Sequence, residues 1–194
     1  MDPCPPWLEG LRDELARGEE PGVERLAAVL LDLGPVGPWI EPVHFSSGDP
    51  YGRTVVHADA GLELMIAGWS RGRWCAPHDH GEGYGAVMVL QGRAQHRGYV
   101  WHHGVPRPEP AERLGPGTVL RCPRGWVHQM RDDGDEHPLV TLHLYRGPTA
   151  PMVVYDLERE RTQWLADGCG AWPRAPEDPA VLRSASGLVP RTRG

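Results

Sequence analysis

The chain has 194 residues, of which 26 are Asp or Glu and 20 are Lys or Arg, giving a formal net charge of -6; it carries 25 Gly, 21 Pro, 8 Trp and a single Phe. That length suits one domain with its own core, and the acidic balance gives no positive field to attract nucleic acid. The longest apolar run, 26–33, is too short and interrupted to cross a bilayer, so neither nucleic acid nor a membrane is expected as a partner.

The stretch MDPCPPWLEGL has no basic leader followed by an apolar segment, and a cytoplasmic location is expected. Trp7, Leu8, Leu11 and Leu15, then Val23, Leu26, Ala27, Leu30 and Leu31, recur at three- and four-residue spacing, the period of an amphipathic helix. Residues 18–22 interrupt this run with two glycines and a proline, so two short helices are expected. After the Gly- and Pro-rich run 34–38 the pattern changes to short β-like segments at 52–57, 62–69, 85–90, 95–101, 118–121, 139–145 and 152–155. Such a succession, with no long helix between the segments, excludes a parallel βαβ sheet and leaves a sandwich or barrel. Beyond residue 157 the chain turns polar and Pro-rich, and its last stretch, SASGLVPRTRG, resembles a protease-cleavable linker or an unstructured tail. Three segments are therefore expected: helical 1–40, a β-domain over 41–157, and an extension over 158–194. Cys4, Cys75, Cys122 and Cys169 form no C-x-x-C pair and are read as reduced thiols.

The chemistry is concentrated in three places. His78 and His80, in PHDHG, are two residues apart and so point to the same side of an extended segment; His128 follows in PRGWVHQM. Imidazole nitrogens favour Fe, Cu, Zn or Ni over hard, oxygen-seeking ions. Among ten histidines a lone H-x-H pair is a weak signal, and the flanking residues are what sharpen it. Gly72, His78, His80, Gly85 and Gly92, then Gly117, Pro123, Gly125, His128 and Asp132, fall at spacings that resemble the two signature motifs of the cupin family. Gly85 stands where the first motif has a glutamate, and Asp132 where the second has an asparagine. The resemblance implies an all-β dominated fold, a jelly-roll antiparallel β-barrel with short N-terminal helices, and a metal held by His78, His80 and His128. An ion held by three neutral ligands keeps its full charge and suits an anionic ligand such as a thiolate, with room for O₂.

In TLHLY, Thr141, His143 and Tyr145 share one strand face while Leu142 and Leu144 take the other. Here the resemblance narrows to the thiol dioxygenases, specifically the cysteine dioxygenase family, which carries a hydroxyl–His–Tyr relay on the strand after its third histidine ligand. It implies catalytic roles for Tyr145, His143 and Thr141. It also implies that Arg53, in YGRTVV, grips the substrate carboxylate, with Tyr51 as helper and Met152 lining the pocket. Mammalian-type members have a cysteine at the Gly85 position, crosslinked to the tyrosine, and with glycine no thioether is expected. The resemblance covers about 45–157 and implies a monomeric, mononuclear Fe(II) enzyme oxidising L-cysteine with O₂ to cysteine sulfinic acid. Other readings are the same chemistry on a small thiol such as 3-mercaptopropionate, a different oxidative rearrangement on nickel or another metal, and a cupin that only binds a ligand.

The remaining candidates have ordinary explanations. Cys75 reads as a buried inert thiol. His57 and His96 read as packing or solvent contacts, His102 and His103 as a hairpin end, and Glu82 as a loop residue. Trp69, Trp74, Trp101 and Trp126 read as core and barrel-rim packing.

Overall fold

The structure, a computed structural model, describes residues 6–34, 49–59, 61–134 and 136–190. Cys4, the side chain of Trp7, the breaker at 35–38, the expected 40/41 boundary and the end of the cleavable-linker element at 191–194 lie outside the described residues. Two helices, α1 (Pro6–Ala16) and α2 (Val23–Leu33), stand where the apolar spacing places them. α2 ends at Gly34, whose positive φ of 67° lets its N–H turn back to the carbonyls of Leu30 and Leu31.

The strands are, in chain order, β1 (Tyr51–Ala58), β2 (Leu62–Trp69), β3 (His78–Asp79), β4 (Tyr84–Gln91), β5 (Ala94–His102), β6 (Val105–Pro108) and β7 (Glu112–Leu114). They continue with β8 (Val119–Cys122), β9 (Val127–Asp132), β10 (Val140–Arg146), β11 (Met152–Asp156), β12 (Arg161–Leu165) and β13 (Val181–Ser186). One sheet has the order β1-β2-β10-β4-β8; the other runs β13-β12-β11-β3-β9-β5-β6, with β7 paired to β5. All these pairings are antiparallel, and the two sheets face each other as a curled, cupin-type barrel. The expected extension over 158–194 thus supplies β12 and β13 to the second sheet.

Strict alternation decides what each face of the first sheet does. Leu62, Leu64 and Ile66 of β2, Ala86, Met88 and Leu90 of β4, and Leu142 and Leu144 of β10 turn outward. There Leu26, Ala27, Val29 and Leu30 of α2 and Leu8 and Leu11 of α1 cover them. Each leucine buried this way contributes about 1.5–3 kcal/mol. The intervening residues, Met65, Ala67, Trp69, Val87, Val89 and Tyr145 among them, turn inward and meet Met130, Met152, Val154 and Leu165 of the second sheet. The helices therefore seal one face of the sheet and leave the other free to build a site inside the barrel. The turn between β4 and β5 is fixed at Gly92, where φ is 74° and a Cβ would lie 2.7 Å from the Pro138 carbonyl oxygen.

Candidate metal centre and substrate pocket

The two histidine motifs, about fifty residues apart, meet through one pairing: His78 of β3 lies opposite His128 of β9. His80 follows β3 directly, on the same side as His78. The ring centroids of His78, His80 and His128 are 4.7–5.2 Å apart, and one nitrogen from each ring lies within 4.8 Å of the others. His78 Nδ1–H donates to the Ala76 carbonyl at 2.9 Å, which leaves its Nε2 as the lone-pair nitrogen. His80 Nε2 and His128 Nε2 approach to 2.9 Å. Burial, followed by the neighbouring ring charges, pushes His80 and His128 well below the ordinary imidazole range, and burial pushes His78 down to about 4. Three neutral imidazoles converging in a buried place make the donor set of a borderline, nitrogen-seeking transition metal, so these residues fit such an ion.

Gly85 explains the missing fourth protein ligand. It sits opposite Tyr145 on β10 and Cys122 on β8. A Cβ there would lie 2.5 Å from Tyr145 Cδ1 and 3.0 Å from Tyr145 Cα, and would overlap the Leu144 carbonyl oxygen. The tyrosine ring occupies the volume in which a carboxylate or thiol side chain would stand. Cys122 itself is buried, its thiol pushed up to about 12 by desolvation, and it stays neutral.

The inward residues of β10 form a continuous hydrogen-bonded line. Thr141 Oγ1 and His143 Nε2 are 2.7 Å apart, His143 Nδ1 and the Tyr145 hydroxyl 3.2 Å, and that hydroxyl is 3.2 Å from His80 Nε2. The far end is closed by Trp69, whose Nε1–H donates to Thr141 Oγ1 at 2.9 Å. Burial drives His143 down to about 3 and Tyr145 well above the usual phenol range, so both are neutral at physiological pH. Because Thr141 can donate or accept, the Tyr145 hydroxyl can face the pocket as a donor or turn its proton to His143 and present lone pairs.

A cavity of about 30 Å³, room for about one or two water molecules, opens beside His80 and Tyr145 and is walled by Arg53, Met65, Met152 and Cys169 among others. Arg53 is on β1, opposite Ala67, and lines both this cavity and an adjoining groove of about 540 Å³. Its guanidinium lines the cavity and is held only at long range among the described residues, with Nη1 3.6 Å from Glu63 and donating to Met65 Sδ at 3.5 Å, and Nη2 3.9 Å from Asp167. Tyr51 also lines the cavity, but its hydroxyl accepts the Ala171 N–H at 2.9 Å and its ring packs against Trp69, so it supports the wall.

His80, Tyr145, Arg53, Tyr51 and Met152 line one cavity, with His78 and His128 grouped around His80, and His143 and Thr141 hydrogen-bonded in line behind Tyr145. Cys75 is buried and inert, accepting the Met130 N–H, and its thiol is pushed up to about 12. His57 pairs with Asp59, Glu82 lies 3.7 Å from Arg124, and His102 meets His103 edge-on at the end of β5, all away from the cavity. Trp74 carries Arg97 and Arg131 on its ring, and Trp101 packs on Tyr155, while Trp69 and Trp126 touch the site. Four participants escaped the sequence: Trp69 as a donor, Glu63 and Asp167 beside Arg53, and His96, whose Nε2 is 3.2 Å from His128 Nδ1. Only His96 left a trace, as an inward position two residues beyond buried Ala94.

Residues 38–158 match the family model described as cysteine dioxygenase type I. Cysteine dioxygenase type 1 of Rattus norvegicus is 27% identical over 145 residues, 70% of this chain and 70% of that protein, and the Bos taurus protein is 26% identical over the same length. A solved oxalate oxidase in complex with the substrate analogue glycolate shares the fold, with a TM-score of 0.50 at 14% identity over 64% of this chain and 65% of that one. The match spans most of the chain and takes in Arg53, both histidine motifs and the TLHLY strand: the chain belongs to the cysteine dioxygenase type I family and is an enzyme of the thiol dioxygenase class.

Proposed function

We propose that the chain oxidises L-cysteine with O₂ to cysteine sulfinic acid, using a single iron held by His78, His80 and His128. Both oxygen atoms end on sulfur, so the thiol gives up four electrons and O₂ takes four, with no other reductant. When bound, the iron supplies the redox chemistry that lets O₂ react with a thiolate, and it favours the deprotonated thiol. Arg53 holds the substrate carboxylate through its fork, which orients sulfur toward the three histidines. Tyr145, 3.2 Å from His80 Nε2, places a hydroxyl at the reacting end of the cavity, and His143 and Thr141 set which way its proton points. Met65 and Met152 give the wall an apolar side that limits water. The observation that carries this reading is that one small cavity is walled by Arg53, by the Tyr145 hydroxyl and by His80, the edge of a neutral three-histidine set.

The test is anaerobic loading with Fe(II), addition of L-cysteine or 3-mercaptopropionate, then O₂, with oxygen uptake and product mass recorded. A product heavier by two oxygen atoms from cysteine, at higher kcat/KM than from 3-mercaptopropionate, is the expected result. Preference for 3-mercaptopropionate would assign the other thiol, and no uptake with either would sink the reading.

A further inference from the structure

One histidine chain in the molecule is left without a role by the proposed reaction. His96 is an inward residue of β5, 1% exposed, in a strand paired with β9, which carries His128. Its Nε2 lies 3.2 Å from His128 Nδ1, and its Nδ1 lies 2.9 Å from Glu112 Oε1 on β7. The Glu112 side chain is 57% exposed, so the chain runs from the metal site to the surface. Trp126 lies flat against His128, with ring planes 17° apart and centroids 4.9 Å apart, and also covers His96 at 5.1 Å.

The direction of each hydrogen bond follows from what the groups can do. An ionised Glu112 only accepts, so His96 Nδ1 carries a proton and donates it. A neutral His96 then has a lone pair on Nε2, which accepts from His128 Nδ1–H. That leaves the lone pair of His128 on Nε2, the nitrogen that faces His80. The opposite tautomer would put a proton on the nitrogen meant for the metal. His78 obtains the same result from the Ala76 backbone carbonyl, which no substitution at position 76 would remove; for His128 the task falls to side chains.

We propose that His96 and Glu112 are positioning residues that lock His128 in its metal-binding tautomer and, through the carboxylate, strengthen it as a donor. The inference rests on His128 being a ligand, and the experiment separates the two claims. Long-range ¹H–¹⁵N correlation on metal-free protein labelled at histidine nitrogen reads the tautomers directly, with no dependence on metal uptake or turnover. The proton is expected on Nδ1 of both His96 and His128; a proton on Nε2 of His128 overturns the proposal.

Competition with a chelator for Co(II), together with the Co(II) visible spectrum, gives the second readout. His96→Leu should bind Co(II) about 10–100-fold more weakly than the wild type. His96→Gln, whose amide oxygen can accept the His128 N–H, should recover most of the loss, which a simple packing role would not predict. Glu112→Gln lies on the surface and keeps an acceptor; it should preserve the tautomer, weaken Co(II) by about tenfold and alter the visible bands. His96→Leu binding within about twofold of wild type would overturn the proposal. If the wild type takes up neither Fe(II) nor Co(II), the three-histidine reading falls, and the tautomer measurement still decides the hydrogen-bond chain.

Discussion

Two histidine-centred hydrogen-bond chains leave the candidate metal site, one into each sheet, and they end differently. In the five-stranded sheet the line Tyr145, His143, Thr141, Trp69 is buried throughout and ends on an indole N–H, a group that only donates. In the eight-stranded sheet the line His128, His96, Glu112 ends on a half-exposed carboxylate, a group that only accepts. The first contains two hydroxyls that can rotate, so it has two self-consistent proton arrangements. The second has no rotor and, with neutral histidines, only one. The same residue type serves a movable proton on one side of the site and a fixed nitrogen on the other.

The most severe way to break this arrangement is at the junction. His80→Ala removes one of three donors, and Fe(II) measured after desalting should fall from stoichiometric to background, with turnover lost. Retained iron would mean that the histidine set is not the metal site. Next in size, Tyr145→Phe should lose about 10²–10⁴-fold in kcat, the usual contribution of a positioned proton-transfer group, with iron content unchanged. A kcat close to wild type would reduce the first chain to a structural feature. Arg53→Ala lies outside both chains and should raise KM for cysteine by roughly ten- to a hundredfold, about 1.5–3 kcal/mol. An unchanged KM would place the substrate carboxylate elsewhere.

The buried histidines also predict a pH dependence of stability in protein stripped of metal. His78 and His143 are pushed down to about 4 and about 3, whereas an unfolded chain leaves them near the usual value of about 6.5. At higher pH both states are neutral and neither histidine contributes. As pH falls below about 6.5 the unfolded chain takes up protons first, and the fold loses about 2 kcal/mol per histidine by about pH 5. Urea unfolding at neutral and acidic pH measures this, and a flat profile would mean that the rings are solvated. The smallest change is expected for Thr141→Ser, which keeps the hydroxyl and should shift stability by under about 1 kcal/mol, whereas Thr141→Val strands Trp69 Nε1–H in the core at about 1–3 kcal/mol. Equal effects of the two variants would remove Thr141 from the chain.

How much of this was readable in advance varies by element. Each of the seven expected strands is present, because each is a short apolar or alternating run of strand length bounded by turn residues. β3 escaped because it is two residues long, and β6 because its two prolines break any alternation. β12 was hidden for a different reason: Thr162 and Gln163 are fully buried but polar, satisfied by contacts such as that between Gln163 Nε2–H and the Arg174 carbonyl at 2.9 Å. A hydrophobic pattern cannot report a core position filled by a paired amide. The same stretch carries Asp167 and Cys169 into the cavity wall.

The sequence by itself determined which side chains share a face: His78 with His80, and Thr141 with His143 and Tyr145. That follows from the two-residue period of an extended backbone, a local property that needs no partner. Only the tertiary structure decided what those faces meet. Trp69 reaches Thr141 across 72 residues, His96 reaches His128 across 32, and Glu112 reaches His96 across 16 through the pairing of β7 with β5. Register between strands is set by the packing of the whole barrel, so the groups that lie behind the candidate ligands become visible only when both sheets are in place.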